Sequence, residues 1–151
     1  MSELLLGVDV GTSSVKALAC DPRGRIVATC SVPHPIYQPN TGWSEQHPED
    51  WWRSSVSAIR GVLADSKCAG SRVVAVGLSG QMHGSVFLPV QGDRPIRPAL
   101  LWNDQRTVAQ CRAIEEAFGG RQALVSMVGN AALTGFTLPK ILWLRDNEPA
   151  N

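Results

Sequence analysis

One carboxylate and three hydroxyl side chains lie close together near the start of the chain. Asp9 lies near the end of an apolar stretch, and Gly11 precedes Thr12, Ser13 and Ser14. Glycine lets the backbone turn tightly and approach a ligand. The N–H groups of such a turn, together with the hydroxyls, form a donor set that suits phosphate oxygens. A carboxylate beside them can hold Mg²⁺ through water. The stretch therefore predicts a phosphate clip, which we define as Asp9 and residues 11–14.

An ordinary β-hairpin is the alternative interpretation of the clip, because Gly, Ser and Thr are common turn residues. The position of Asp9 in an apolar run favours a function, since an unpartnered buried charge is costly. Lys16 follows on the next strand and is a weaker phosphate ligand candidate, because strand lysines are usually solvated. The stretch lacks the Gly-Lys-Ser/Thr ending and the G-x-G-x-x-G pattern of the common nucleotide loops.

A second group of candidate residues, Gln81, Met82 and His83, stands between two glycines. This loop follows a predicted strand, and ligands of open α/β sheets bind at the carboxyl ends of strands. His83 could exchange hydrogen bonds with a hydroxyl-rich substrate, and Met82 could pack on its carbon face. A lone loop histidine is more often structural. The flanking glycines indicate close backbone approach and favour a ligand.

A third group comprises Trp102, which ends the short predicted strand 98–102, and Asn103 and Asp104, which follow it immediately. Either Asn103 or Asp104 is expected to be the N-cap of the next helix. Capping does not exclude ligand contact, because these residues also lie at a strand's carboxyl end. All three are therefore substrate-binding candidates.

The elements that must position these groups follow from periodicity and turn signals. Three strands, 4–10, 15–20 and 25–32, are predicted to form an antiparallel meander, with a turn at residues 21–24. Pro48 is predicted to start a helix whose apolar stripe faces a core; that stripe comprises Trp52, Val56, Ile59 and Leu63. The run 72–79 predicts a fully buried strand, parallel to its neighbour. The pattern predicts an α/β fold with a mixed sheet and flanking helices.

The remaining segments are predicted as one loop and three helices. Residues 33–48 contain four prolines and are expected to form a surface loop anchored by Trp43. Helices are predicted after Asp104 up to Phe118, over residues 121–128, and from Thr137 through Leu144.

Composition limits the function classes. The 151 residues carry a formal net charge of +1 and are 44% hydrophobic and 18% charged, which fits one domain. Scattered basic residues argue against nucleic acid and favour a small-molecule partner. No stretch is apolar enough to span a bilayer, so no membrane contact is expected and the cytoplasm is the default location. Four widely spaced cysteines suggest buried, reduced thiols.

Four motifs together resemble the N-terminal region of xylulokinases, which belong to the FGGY family of carbohydrate kinases. They are residues 7–12 (Gly-Val-Asp-Val-Gly-Thr), 80–84 (Gly-Gln-Met-His-Gly), 101–104 (Leu-Trp-Asn-Asp) and 134–140 (Thr-Gly-Phe-Thr-Leu-Pro-Lys). Residues 43–46 and the pair Trp51-Trp52 are also similar, so the resemblance spans nearly the whole chain. The Gln-Met-His sequence is what indicates xylulose rather than glycerol.

The resemblance implies an actin-like ATPase fold of two ribonuclease H-like domains, with ATP and sugar meeting between them. It implies that Asp9 is a catalytic carboxylate near Mg²⁺ and that residues 11–14 line the nucleotide. It implies that Met82 and His83 contact the sugar, with Trp102 as a ring wall and Asp104 as a hydroxyl partner.

The resemblance also implies that the general base, an aspartate, lies downstream of this chain. We expect residues 1–151 to be a partial N-terminal sugar-kinase domain, inactive alone, without the second, ATP-binding domain. The expected activity of the full-length protein is ATP-dependent phosphorylation of D-xylulose to D-xylulose 5-phosphate. A kinase for gluconate, ribulose or glycerol, or a non-catalytic nucleotide-binding domain of the actin and Hsp70 type, is the alternative. A homodimer stays open.

Overall fold

The computed structural model describes residues 3–65, 68 and 70–151 and divides the chain into two compact units. The first unit comprises Met1–Ile36 and Pro48–Gln81, and the second comprises Tyr37–His47 and Met82–Asn151. The strands are β1 Leu4–Val10, β2 Ser14–Cys20, β3 Ile26–Pro33, β4 Glu45–Gln46, β5 Val73–Gly80 and β6 Ala99–Leu100. The helices are α1 Pro48–Leu63, α2 Val108–Ala117, α3 Arg121–Val128 and α4 Thr137–Asn147, and a 3₁₀ turn spans Gly70–Arg72.

The first unit contains a four-stranded mixed sheet in the order β3-β2-β1-β5. β1 and β2 are antiparallel, as are β2 and β3, whereas β5 runs parallel to β1. The predicted meander and the predicted parallel strand are both confirmed. Alternation along β1 buries Leu4, Leu6 and Val8 beneath α1 and turns Asp9 to solvent.

α1 begins at Pro48 as predicted, but the predicted orientation of its apolar stripe is partly wrong. Its buried side chains are Ser54, Ala58 and Val62, while Trp52 is 66% exposed. The reason is the close approach of α1 to β3. A β-carbon built on Gly61 would lie 2.4 Å from Cys30 Sγ, so only small residues fit along the contact line.

β5 is not the fully buried strand that its composition predicted. Val74 and Val76 are exposed, and Leu78 is 81% exposed. β5 is the edge of the sheet and pairs only with β1 among the described strands. Since α1 packs mainly on β2 and β3, it leaves both faces of β5 largely uncovered.

In the second unit, the segment predicted as a surface loop contributes a buried strand. Within it, β4 pairs antiparallel with β6 through Glu45 opposite Leu100 and Gln46 opposite Ala99. Trp43 does anchor this segment, since its ring packs edge-on against Trp143 at 5.5 Å. The proline content predicted a loop because it cannot reveal a distant pairing partner.

The predicted cap of α2 is also wrong. The helix starts at Val108 with Thr107 as its N-cap, and no side chain caps it. Asp104 binds an arginine and a distant backbone N–H instead. All four cysteines are free thiols, but the expectation that they are buried holds only for Cys68 and Cys111, since Cys20 and Cys30 are partly exposed. Within the described residues, no helix has both the length and the apolar character needed to cross a bilayer.

Candidate functional site

Asp9 lies near the carboxyl end of β1 with its side chain exposed. The charge of Asp9 is therefore not buried as its apolar neighbours suggested, because the strand's alternation turns the side chain away from the core. Lys16 is its neighbour across the β1–β2 ladder and is also exposed. Both residues line a 310 Å³ groove on this face of the sheet, where Gly7 and Gly77 add no side-chain bulk. Solvent access leaves the Asp9 carboxylate available to a ligand.

The turn of the clip joins β1 to β2, so the hairpin interpretation describes its backbone correctly. The Gly11 N–H donates to the Ser14 carbonyl over 3.1 Å. A β-carbon built on Gly11 would lie only 3.1 Å from the same oxygen, so a larger residue would crowd the turn. A hairpin can still carry a ligand site, because the turn directly follows the strand that carries the exposed Asp9.

His34 fixes the turn, and sequence reasoning did not identify it. Its ring Nε2 lies 3.1 Å from the Thr12 carbonyl, which can only accept, so Nε2 carries the proton. Its backbone N–H donates to the Ser13 carbonyl over 3.2 Å. Two carbonyls of the clip are thus tied to this buried histidine. No local pattern indicated it, because the bond to Thr12 spans 22 residues.

Gln81 belongs to the first unit and meets the clip there. Thr12 Oγ1 donates to Gln81 Oε1 over 3.3 Å, and the Gln81 N–H donates to the Val10 carbonyl over 2.8 Å. Gly80 makes this approach possible, since a β-carbon on it would lie 2.8 Å from the Val10 oxygen. The structure therefore brings Gln81 and the clip together, although 69 residues separate Thr12 from Gln81.

Met82 and His83 belong to the second unit. Met82 is 71% exposed, and His83 is exposed with a backbone φ of 61°. Within the part of the chain that the structure describes, His83 is the only non-glycine residue with positive φ. Such conformations persist only where surrounding contacts hold them, and they cluster at ligand sites. The His83 ring packs against Phe136 at 5.0 Å.

Lys140 holds the loop at residues 81–83 through a hydrogen bond to the His83 carbonyl. Lys140 was not among the predicted site residues. Its side chain is 0% exposed, and its Nζ donates to the carbonyls of His83 (2.9 Å), Phe136 (3.3 Å) and Gly135. Burial lowers the pKa of Lys140 from 10.5 to about 8, although the Asp104 carboxylate partly opposes that shift. The motif at 134–140 drew attention to this residue, but no local rule assigned it a role.

Trp102 and Asn103 stay accessible as predicted ligand contacts, whereas Asp104 does not. Asp104 is 0% exposed, and its carboxylate accepts from the Ser44 N–H and from the Arg106 guanidinium, each at 2.7 Å. Its carboxylate has no surface to offer a sugar, so the prediction for Asp104 is withdrawn. Asn103 Oδ1 is buried and has no hydrogen-bond partner among the described residues.

A buried ionic cluster surrounds Asp104. Arg106 stacks on the Trp43 ring at 3.6 Å and pairs with Glu45 at 2.7 Å. Arg97 pairs with Glu45 at 2.5 Å and also with Glu148. Removing one partner of such a buried ion pair strongly destabilises the folded protein, because the other charge is left buried and unpaired. The cluster therefore acts as a scaffold for the segment that carries Trp102 and Asn103.

A sequence profile of the FGGY family of carbohydrate kinases, N-terminal domain, matches residues 4–151. The chain is 43% identical over 145 residues to a xylulose kinase of Lactococcus lactis subsp. lactis, covering 96% of this chain and 28% of that protein. The chain thus spans less than a third of the length of this curated relative. A crystal structure described as a "xyloylose kinase" from Brucella ovis matches with a TM-score of 0.89 and 36% identity, covering 98% of this chain and 30% of that one.

A gluconate kinase from Lactobacillus acidophilus also matches, with a TM-score of 0.86, 23% identity, and coverage of 99% of this chain and 29% of that one. At that identity the likeness concerns the fold alone. The expected actin-like ATPase fold, a mixed sheet with flanking helices, is confirmed by these sugar-kinase structures. Because kinases named for two different substrates share it, the fold does not select the sugar.

Proposed function

Because the chain belongs to the FGGY family of carbohydrate kinases, we propose that the complete protein transfers a phosphoryl group from ATP to the ketopentose D-xylulose. The products are D-xylulose 5-phosphate and ADP. The observation that carries the proposal is the exposed Asp9 beside a hydroxyl turn, joined through Thr12 to Gln81 of the Gln-Met-His segment. Similarity to proteins named xylulose kinases supports the choice of xylulose as the sugar.

The nucleotide side of the proposed site is the clip. Residues 11–14 would bind phosphate oxygens through backbone N–H groups and hydroxyls, and Lys16 would add a positive charge. Asp9 would hold a hydrated Mg²⁺, whose charge would stabilise the transferring phosphoryl group. The donor set fits that ion, because Mg²⁺ keeps several waters and needs only one or two carboxylates. Among the described residues, no group of three His, Cys, Asp or Glu side chains forms a dedicated metal cage.

Sugar binding is assigned to Met82, His83, Trp102 and Asn103 of the second unit, and to Gln81 at the end of the first unit. Met82 and Trp102 are exposed apolar groups suited to the carbon face of a sugar. The exposed His83 offers hydrogen bonds to hydroxyls, whereas the half-buried Asn103 would have to turn its enclosed Oδ1 outward to join it. These residues position and orient the acceptor. Phosphoryl transfer depends mainly on such positioning and on electrostatic stabilisation.

The remaining parts of the enzyme belong to the same proposal. The general base and the adenosine pocket would lie in a further region and a second domain of the complete protein. We also propose a cytoplasmic location, while a homodimer stays a prediction.

The test is ADP formation by the complete protein with a panel of sugars. D-Xylulose should give a kcat/KM at least about tenfold above those of ribulose, gluconate and glycerol, a discrimination within the reach of a few hydroxyl contacts. Equal values would contradict the xylulose assignment while leaving a sugar kinase. Sugar-independent ATP hydrolysis with no phosphorylated sugar would favour a nucleotide-binding domain of the actin and Hsp70 type that does not act on sugars.

A further inference from the structure

Lys140 is a fully buried cation whose ammonium group is held by backbone carbonyls. Its Nζ donates to the carbonyls of His83, Gly135 and Phe136. An ammonium has three N–H donors, so these three oxygens satisfy it completely. No carboxylate among the described residues lies within ion-pair distance of it. This arrangement explains how an unexposed charge is tolerated, since buried charges must be hydrogen-bonded or paired.

The residue at the other end of one of these bonds is strained. His83 adopts a left-handed backbone with φ of 61°, which a β-carbon disfavours. Its carbonyl accepts from Lys140 over 2.9 Å, and its ring packs against Phe136. The Phe136 carbonyl accepts from the same ammonium. Lys140 therefore fixes the His83 backbone and also the residue against which the imidazole packs.

We propose that Lys140 is a positioning residue that holds His83 in its left-handed conformation and thereby orients the imidazole for the sugar. The inference rests on the proposed function, because the sugar contact of His83 belongs to it. Lys140 acts through His83 and does not touch substrate. Sequence alone marks it as unusual in one respect, since the chain has only three lysines, at positions 16, 67 and 140.

The charge of Lys140 gives the proposal a pH signature. Burial lowers the pKa of Lys140 to about 8, while Asp104, in the loop after β6, and Cys111, in α2, favour the cation. Burial also raises the pKa of the Cys111 thiol above its ordinary 9.0, so Cys111 contributes its negative charge only once it ionises in more alkaline solution. Above about pH 8, the neutral amine has two N–H donors for three carbonyls. The hydrogen bond from Lys140 to the His83 carbonyl should then weaken.

Stability and positioning should respond to pH in opposite directions. The pKa of Lys140 is about 8 in the folded state and 10.5 in its ordinary state. Between these values the unfolded chain binds more protons, so this group makes the free energy of unfolding rise with pH. Deprotonation of Lys140 in this pH range therefore does not unfold the protein. A loss of sugar affinity between these two pKa values must have another cause, such as the loss of the hydrogen bond to His83.

The experiment compares wild type, K140M, K140R and R145M in the complete protein. R145M is the matched control, because it removes an exposed cation from the same helix. The xylulose KM of wild type should rise several-fold from pH 7 to pH 9. In K140M it should already be raised about tenfold at pH 7 and stay flat, with the ATP KM unchanged. K140R keeps its charge and should lose the alkaline rise, while R145M should match wild type.

A second measurement does not need turnover. The ¹³C shift of the His83 α-carbon, which reports φ and ψ, should titrate with a midpoint near the Lys140 pKa of about 8 in wild type and in R145M. A flat shift over pH 7–9, or a K140M protein with the wild-type xylulose KM, would overturn the positioning role. If wild type titrates but never phosphorylates xylulose, the proposed function fails and the positioning of His83 stands.

Discussion

Thr12 Oγ1 donates a hydrogen bond to Gln81 Oε1 over 3.3 Å, which links the turn after β1 to the end of β5. The two side chains should therefore be energetically coupled. A double-mutant cycle of T12V and Q81L should give a coupling free energy of about 0.5–1.5 kcal/mol in urea unfolding. T12S, which keeps the hydroxyl, is the control. Strictly additive effects of T12V and Q81L would show that the contact contributes nothing.

Gly80 should tolerate no side chain, whereas Gly77 on the same strand should. A β-carbon at Gly80 would lie 2.8 Å from the Val10 carbonyl, while nothing lies within 4 Å of one at Gly77. G80A should lower the free energy of unfolding by about 1–3 kcal/mol through backbone displacement. G77A is the matched control and should change it by less than about 0.5 kcal/mol. Thermal or urea unfolding measures both, and equal losses would refute the steric argument.

Asp9 and Asp104 should separate function from stability. Asp9 is exposed, so D9N should leave stability nearly unchanged but reduce kcat by at least about 100-fold if the carboxylate holds Mg²⁺. Asp104 is buried against Arg106, so D104N should cost about 3–5 kcal/mol of stability. Unfolding and turnover of both variants in the complete protein make the comparison. The roles would be reversed if D9N unfolded the protein and D104N only slowed it.

Asp21 should make stability depend on acid pH. Hydrogen bonds from the Arg25 backbone N–H and guanidinium lower the pKa of Asp21 below its ordinary 3.8. A depressed folded-state pKa contributes stability above the ordinary value, and that contribution is lost as pH falls through the folded value. D21N should therefore destabilise the protein at neutral pH, and its difference from wild type should shrink as the pH falls through the lowered pKa of Asp21. D93N, at an exposed position, is the control.

The elements that depend on local signals were predictable from sequence. Alternation in β1 and β2, the turn before Arg25 and the start of α1 at Pro48 all follow from neighbouring residues. The exposure of β5 was not predictable, because it depends on which strands α1 covers. The orientation of α1 depends on how closely it approaches Cys30 on another element.

In the candidate site too, the residues that local sequence identifies differ from those that depend on distant contacts. Residue types predicted the clip and the loop at 81–83, because phosphate and sugar chemistry limits which side chains can serve. His34 and Lys140 support them through bonds that span 22 and 57 residues, which no local pattern encodes. Asp104 looked like a cap or a ligand, since nothing nearby revealed its bond with the Ser44 N–H.

The central claim is that the clip binds the phosphates of ATP, whereas His83 binds the sugar. Initial-rate kinetics of wild type, S13A and H83N in the complete protein test it most directly, because Asn tolerates positive φ and should preserve the loop. H83N should raise the xylulose KM about tenfold or more and leave the ATP KM within about twofold. S13A should raise the ATP KM and leave the xylulose KM within about twofold. An unchanged xylulose KM in H83N, or a parallel rise of both KM values in either variant, would contradict the account.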